Sequence, residues 1–324
     1  MSDILYFDYQ STTPLDPRIA TAMQRYSDTR CAGNPHADHV AGRANWTAIQ
    51  TARGQIATSV GAMSEEIIFT SGATESNNIA IQGIARALMA TGRRRLITAA
   101  TEHKSVLEPL AYLSELGFEV EVLPVGSNGR IALEDLRNCI EGAGLVSIML
   151  ANNEIGVIQP IAEIAKLCRK AGVILHTDAA QAVGKIEVDF HRLGIDLASI
   201  SGHKLHAPGG IGALFVSQHS LLRPYPLSFG GGQEGGLRPG TIPTALCVGL
   251  GEACDIATRG LSDERERLHT LSKLFLERLT SAGDVTLVGD PTFRIPGNLS
   301  LAGRQREVVP AVRLAYPTRR RETG

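Results

Sequence analysis

The stretch LVSIMLANNEIGVIQPIAEIAKLCRKAGVILHTD, residues 145–178, decides the fold class. It opens with an apolar run at 145–150, passes a turn, and continues as a helix-like segment over 161–171. A second apolar run at 173–177 follows Gly172 and ends on Asp178. Short buried strands flanking a helix make a crossover unit whose strands lie parallel.

The same alternation extends in both directions. Strands are expected over 66–70, 95–99, 119–124, 197–201 and 212–216, with helices over 77–90, 106–116 and 133–140. That pattern makes the chain α/β, with a mainly parallel seven-stranded sheet covered by helices on both faces. Such sheets take ligands at the carboxyl ends of their strands. Residues 263–282 read as one amphipathic helix, with Leu268, Leu271, Leu274, Phe275 and Leu279 at helical spacing. This helix is expected to open a smaller α+β C-terminal domain, continued by a strand-like run at 298–301. The expected division is a large domain over 16–255 and a small one over 1–15 plus 256–324, incomplete at its C-terminal end. From Ala302 onward the text holds two prolines and six arginines, including Arg313 and Arg319 to Arg321, and makes a poor core element.

The 324 residues, 43% hydrophobic and 20% charged, suffice for a sizeable core. A net charge of −1 supplies no basic field for nucleic acid. No run approaches the roughly 20 apolar residues that span a bilayer, and no secretory leader is legible. The five cysteines, Cys31, Cys139, Cys168, Cys247 and Cys254, lack metal-ligand spacing. Scattered free thiols fit a reducing cytoplasm, which is the expected location.

Six short constellations carry candidate chemistry. Ser201-Gly202-His203-Lys204 follows an apolar strand and precedes a glycine-rich turn. A lysine fixed there suits Schiff-base chemistry once burial or a nearby cation lowers its pKa; a surface lysine in a turn fits equally well. Asp178 ends a buried strand and needs a charged partner such as a protonated pyridine nitrogen, or serves as a helix N-cap. Gln181 lies three residues on and can donate to a phenolic oxygen. Thr70 to Asn78 places hydroxyls and free N–H groups at a helix start, a phosphate cradle or a capping box. Thr101-Glu102-His103-Lys104 offers an imidazole after another strand, able to stack on a planar ring. Asn152-Asn153 and the glycine-dense run 230–241, with Arg238 and Thr241, complete the set, each also readable as a plain turn or loop.

Taken in order, TSGATESNN (70–78), TEHKSVL (101–107), NNEIGVIQPI (152–161), HTDAAQAVGK (176–185), SGHKLHAPGGIGALF (201–215) and GGGQEGGLRPGT (230–241) resemble the cysteine desulfurase family. This family belongs to the class V branch of fold-type I enzymes that use pyridoxal 5′-phosphate (PLP). The similarity runs from Tyr6 to about Leu301. It implies that Lys204 holds the cofactor and transfers protons, and that His103 stacks on its ring. It further implies Asp178 at the pyridinium nitrogen and Gln181 at the phenolic oxygen. Ala73, Thr74, Ser201 and His203 would hold the phosphate, and Asn153 would face cofactor and substrate. Thr241 would reach the phosphate of a neighbouring subunit, which implies a homodimer.

Members convert L-cysteine to L-alanine, leaving sulfur as a persulfide on a loop cysteine for iron–sulfur clusters or tRNA thiolation. A sulfur-acceptor or scaffold protein is therefore an expected partner. The pattern is lost after Leu301, no cysteine lies beyond Cys254, and Gly235 and Pro239 stand where the family has arginine and serine. The end of the chain reads as a truncation, a shifted frame or a specialised variant. Arg313 and Arg319 do not match the family's substrate-clamping arginine. The expectation is cofactor binding with weak or absent desulfuration. The alternatives are a PLP lyase or transaminase of other specificity, and a non-catalytic paralogue that pairs with a complete subunit.

Overall fold

The computed structural model describes residues 6–27, 33–282 and 285–303. Cys31, residues 1–5 of the expected small domain and the arginine-rich 304–324 lie outside them.

The central sheet holds β1 (Ile67–Thr70), β2 (Arg95–Ala99), β3 (Glu119–Leu123), β4 (Ala143–Ser147), β5 (Ile174–Asp178), β6 (Leu197–Ser201) and β7 (Gly212–Val216). Their spatial order is β1-β7-β6-β5-β4-β2-β3. Pairs from β6 to β3 are parallel, whereas β7 runs antiparallel to both β6 and β1. The expected mainly parallel sheet is thus present, with β7 as its one reversed strand.

Consecutive residues along a strand point to opposite faces, and here both members of each apolar pair are buried. Ile97, Val146, Leu175, Ala198 and Phe215 join one core cluster, while Leu96, Leu145, Ile174, Leu197 and Leu214 join the other. The first cluster is closed by α2 (Val40–Ser59), α6 (Ile161–Ala171) and the start of α8 (Thr244–Ala282), the second by α3 (Ala73–Leu88) and α4 (Lys104–Glu115). The remaining helices are α1 (Pro17–Ser27), α5 (Leu133–Cys139) and α7 (Phe190–Leu193), and β8 (Val285–Leu287) pairs antiparallel with β9 (Leu301–Gly303).

Several expected boundaries move by one to four residues, α3 for instance starting at Ala73 rather than 77, and two shifts bear on the packing. Strand β4 stops at Ser147 rather than 150, although Ile148 and Leu150 still donate N–H bonds to His176 and Asp178 carbonyls. The long helix begins at Thr244, not 263. Its first turns, 244–251, carry no charged residue and bury Cys247 and Leu250 beneath α2, so a polar face begins only at Glu252 and Asp255. A Cβ on Gly251 would lie 2.7 Å from the Ala52 Cα, so this glycine is what lets α8 approach α2. The helix crosses the expected 255/256 boundary without interruption.

His176 lies wholly buried in β5, bonded through Nδ1 to Ser147 Oγ (2.8 Å) and through Nε2 to Ser199 Oγ (3.1 Å). Burial pushes its pKa down to about 3. The unfolded chain therefore binds a proton near pH 6.5 that the native state refuses, so stability is lost as pH falls from there toward 3. Between pH 7 and 5 this amounts to about 2 kcal/mol. Urea unfolding of wild type and His176→Gln should show the difference between them shifting by that amount across the two pH values. A difference constant with pH would mean that His176 protonates freely in the fold.

Candidate active site

Sheet register assembles the site. Gly212, the first residue of β7, pairs with Thr70 on one side and Ser201 on the other, and Asp178 pairs with Ser199. The ends of β1, β5 and β6 thus meet along one edge. Gly72 adopts φ +149, and a Cβ on Gly212 would lie 2.6 Å from its Cα, so the loop before α3 rests directly on the sheet edge. No side chain caps α3. Glu75 folds back onto the Ser71 N–H and pairs with Arg238 at 3.0 Å. Among the described residues nothing accepts from the N–H groups of Ala73, Thr74 and Glu75, which leaves an anion-binding helix start.

Lys204 follows β6 in the short 3-10 turn Gly202–Lys204. Its Nζ donates to the carbonyls of Gln10 and, at 2.9 Å, Ser11. Burial lowers its pKa, opposed by the charges of Asp178 and Asp8. The N-terminal segment is tied down beside it: the Thr13 N–H and hydroxyl both donate to the His203 carbonyl at 2.9 Å, and the His206 N–H donates to Thr13 Oγ1 at 2.7 Å. Gln181 Nε2 donates to the same Gln10 carbonyl at 2.9 Å, and its Oε1 accepts from Lys185 Nζ. Burial, reinforced by Lys204, brings Lys185 down to about 7. His203 is lowered as well, first by burial and then by the two lysines. Two amines with lowered pKa values therefore flank the Gln181 amide.

Asp178 is 6% exposed and doubly held. Its Oδ1 accepts from the Ala180 N–H (3.0 Å) and its Oδ2 from Asn77 Nδ2 (2.7 Å). Asn77 Nδ2 also donates to Ser105 Oγ at 2.8 Å, and Ser105 Oγ lies 2.8 Å from His103 Nδ1. His103 stands at the exposed N-terminus of α4, its Nδ1 accepting from the Ser105 N–H at 3.1 Å. A shallow cleft lined by Thr74, Asn78, Gln82, His103, Ser105 and Tyr112 opens beside it.

The sequence-based candidates Lys204, Asp178, Gln181, His103, Ala73, Ser201 and His203 share this edge. Thr74 is also there, exposed on the first turn of α3. Asn153 is half-buried, but its neighbour Asn152 fixes the turn, donating to Thr101 O (2.9 Å) and accepting from Glu154 and Ile155 N–H (2.8 Å each). Thr241 is exposed at the end of the glycine-dense loop, and among the described residues no bond joins it to Lys204. Asn77 and Glu102 went unread as site residues. Asn77 shares the buried face of α3 with Ile81, Ile84 and Leu88, and a polar residue in an apolar stripe is the signal that marks it.

Glu102 is buried, with Oε1 accepting from the Met149 N–H at 2.7 Å and Oε2 unpartnered among the described residues. Burial, aided by the charge of Asp178, holds its pKa well above the usual carboxylate value. Native Glu102 keeps a proton that the unfolded chain releases near pH 4.5, so its contribution to stability is full below that pH and is lost as pH rises toward the native pKa. Across that window, wild type should lose up to about 1.4 kcal/mol per pH unit relative to Glu102→Gln. Denaturant titrations at pH 4.5 and 6.5 check this, and a gap that stays flat would show a charged Glu102.

Known proteins resemble this chain in sequence and fold. The pattern of the class-V aminotransferase family matches residues 5–307. The cysteine desulfurase IscS of Rickettsia bellii is 48% identical over 301 residues, covering 92% of this chain and 73% of its own length. The human cysteine desulfurase is 48% identical over 92% of this chain, which spans 65% of it, and the mitochondrial cysteine desulfurase of Arthroderma benhamiae is 50% identical, with 60% of its length spanned. Among solved structures, a NifS-like protein superposes with a TM-score of 0.88 at 36% identity, covering 92% of this chain and 81% of its own. DndA from Streptomyces lividans gives a TM-score of 0.83 at 41% identity, covering 92% and 84%. The chain belongs to the class-V aminotransferase family, within its PLP-dependent cysteine desulfurase group.

Proposed function

We propose that the protein binds PLP at the Lys204 edge and acts on L-cysteine as a desulfurase-type enzyme. The observation that carries this is the convergence there of an amine with lowered pKa, a buried carboxylate and helix N–H donors to which no described residue offers an acceptor. That donor set fits the cofactor's aldehyde, pyridine nitrogen and phosphate in turn. A solved relative, SspA, is described in complex with cysteine, which supports the substrate class.

When bound, PLP supplies an electrophilic carbonyl and an electron-withdrawing ring. Burial increases the neutral fraction of Lys204, the form that attacks a carbonyl or takes a proton. Asp178, oriented by Asn77 and the Ala180 N–H, would hold a protonated ring nitrogen. Gln181 presents its Nε2 because Lys185 occupies its Oε1, and would donate to the phenolic oxygen. His103 would cover the ring, while Ala73, Thr74, Ser201 and His203 would receive the phosphate. Asn153 would face the substrate, and Thr241 would serve the site of a second subunit in a homodimer. The same reading places the enzyme in the cytoplasm, with a sulfur-accepting or scaffold protein as partner.

The sulfur step has no carrier among the described thiols. A persulfide forms on a thiolate, yet burial pushes Cys168 and Cys254 up to about 12 and Cys247 further up. Cys139, half-buried, is raised too. In this reading none of these four carries the sulfur, which passes to a thiol other than them; Cys31 lies outside the described residues.

The purified protein with added PLP should be yellow, and Lys204→Ala should be colourless. Alanine release from cysteine should require added dithiol and fall on the order of 10³-fold in Lys204→Ala. Mass spectrometry should find no persulfide on the four described cysteines. A protein that stays colourless with PLP overturns the cofactor assignment. Alanine release without reductant, with a persulfide on one of those thiols, overturns the sulfur route.

A further inference from the structure

The buried chain from Asp178 to His103 has a direction, set by the acceptor-only carboxylate at one end and a backbone N–H at the other. A carboxylate oxygen only accepts, so Asn77 must turn its NH₂ group toward Asp178 Oδ2, as the 2.7 Å contact shows. The second hydrogen of that NH₂ then reaches Ser105 Oγ at 2.8 Å, while Asn77 Oδ1 is buried without a partner among the described residues. With one lone pair of Ser105 Oγ taken, its single hydroxyl hydrogen is free for His103 Nδ1, 2.8 Å away. The Ser105 backbone N–H donates to the same nitrogen at 3.1 Å, and a backbone N–H cannot reverse its role. A proton on Nδ1 would confront this fixed N–H, whereas an unprotonated Nδ1 accepts from it and from the Ser105 hydroxyl together.

We propose that Asn77 and Ser105 are positioning residues that lock His103 in the tautomer carrying its proton on Nε2. The ring then offers a donor to the open side of the site, and its only basic nitrogen is turned inward and occupied. In the reading above, where His103 covers the cofactor, this makes the imidazole a hydrogen-bond or proton donor and leaves proton acceptance to Lys204. The inference rests on this chain's own hydrogen bonds, and its test needs no cofactor, so its failure is separable from failure of the desulfurase reading.

The test is a long-range ¹H–¹⁵N correlation spectrum of the histidine rings in the ligand-free, ¹⁵N-labelled full chain at pH 8, with His103→Gln providing the assignment. Wild type should show His103 with a protonated Nε2 and an unprotonated Nδ1. In Asn77→Leu the Ser105 hydroxyl is released to turn toward Asp178, and in Ser105→Ala it is absent. Each should shift the tautomer ratio toward Nδ1–H by about fivefold to tenfold, the ratio one ordinary hydrogen bond sets. Ser105→Thr, which keeps the hydroxyl, should restore the wild-type pattern and serves if Asn77→Leu does not fold. A wild-type ring protonated on Nδ1, or variants that keep the wild-type ratio, would overturn the proposal.

Discussion

A sheet covered on both faces has no room for polar chemistry except at its ends. In this protein the inner strands are covered on both sides: neighbouring residues of β2, β4, β5, β6 and β7 are buried in opposite core clusters, and only the edge strand β3 is largely exposed. The polar groups inside the sheet are accounted for by one another, as His176 is by Ser147 and Ser199 and Thr98 is by the Ser147 carbonyl. What remains open is the edge where parallel strands finish. There β7 is reversed, so the backbone of Gly212 meets the ends of β1 and β6, and a residue with any side chain would force the α3 loop away.

The strand alternation was plain in the sequence because buried parallel strands are short apolar runs and their crossover helices are amphipathic. Residues 95–99, 197–201 and 212–216 fall on strands with the same limits. The start of α8 was hidden for the complementary reason that residues 244–251 carry no charged residue to mark a polar face. At the site, Lys204, Asp178 and the start of α3 could be located as strand-end residues, but their roles came from family resemblance. The pairing of Asn77 with Asp178, 101 positions apart, depends on how α3 packs across β5 and cannot be read from spacing.

Closure by the N-terminal segment was equally illegible. Gln10 and Ser11 contribute only backbone carbonyls to Lys204, and a carbonyl leaves no trace in side-chain identity. The glycine-dense loop, which as sequence reads as mobile, is held by its one buried acid. Glu234 takes Arg53 in a two-pronged pair at 2.7 and 2.8 Å and also accepts from the Phe69 N–H at 2.6 Å. It does so at φ +50, a conformation a non-glycine residue keeps only when its surroundings enforce it.

The uninterrupted α8 gives the molecule a mechanical property that its core does not suggest. Its first turns are clamped against α2, while Leu271, Leu274 and Phe275 further along are exposed. From Ile256 to the helix end the rod extends about 40 Å at the usual rise per residue. A tilt of about 5° at the clamp would carry its tip roughly 3–4 Å, since a straight helix passes on angle as displacement. Because Gly251 sets the closest approach to α2, any tilt about that point would be magnified along the helix toward Ala282.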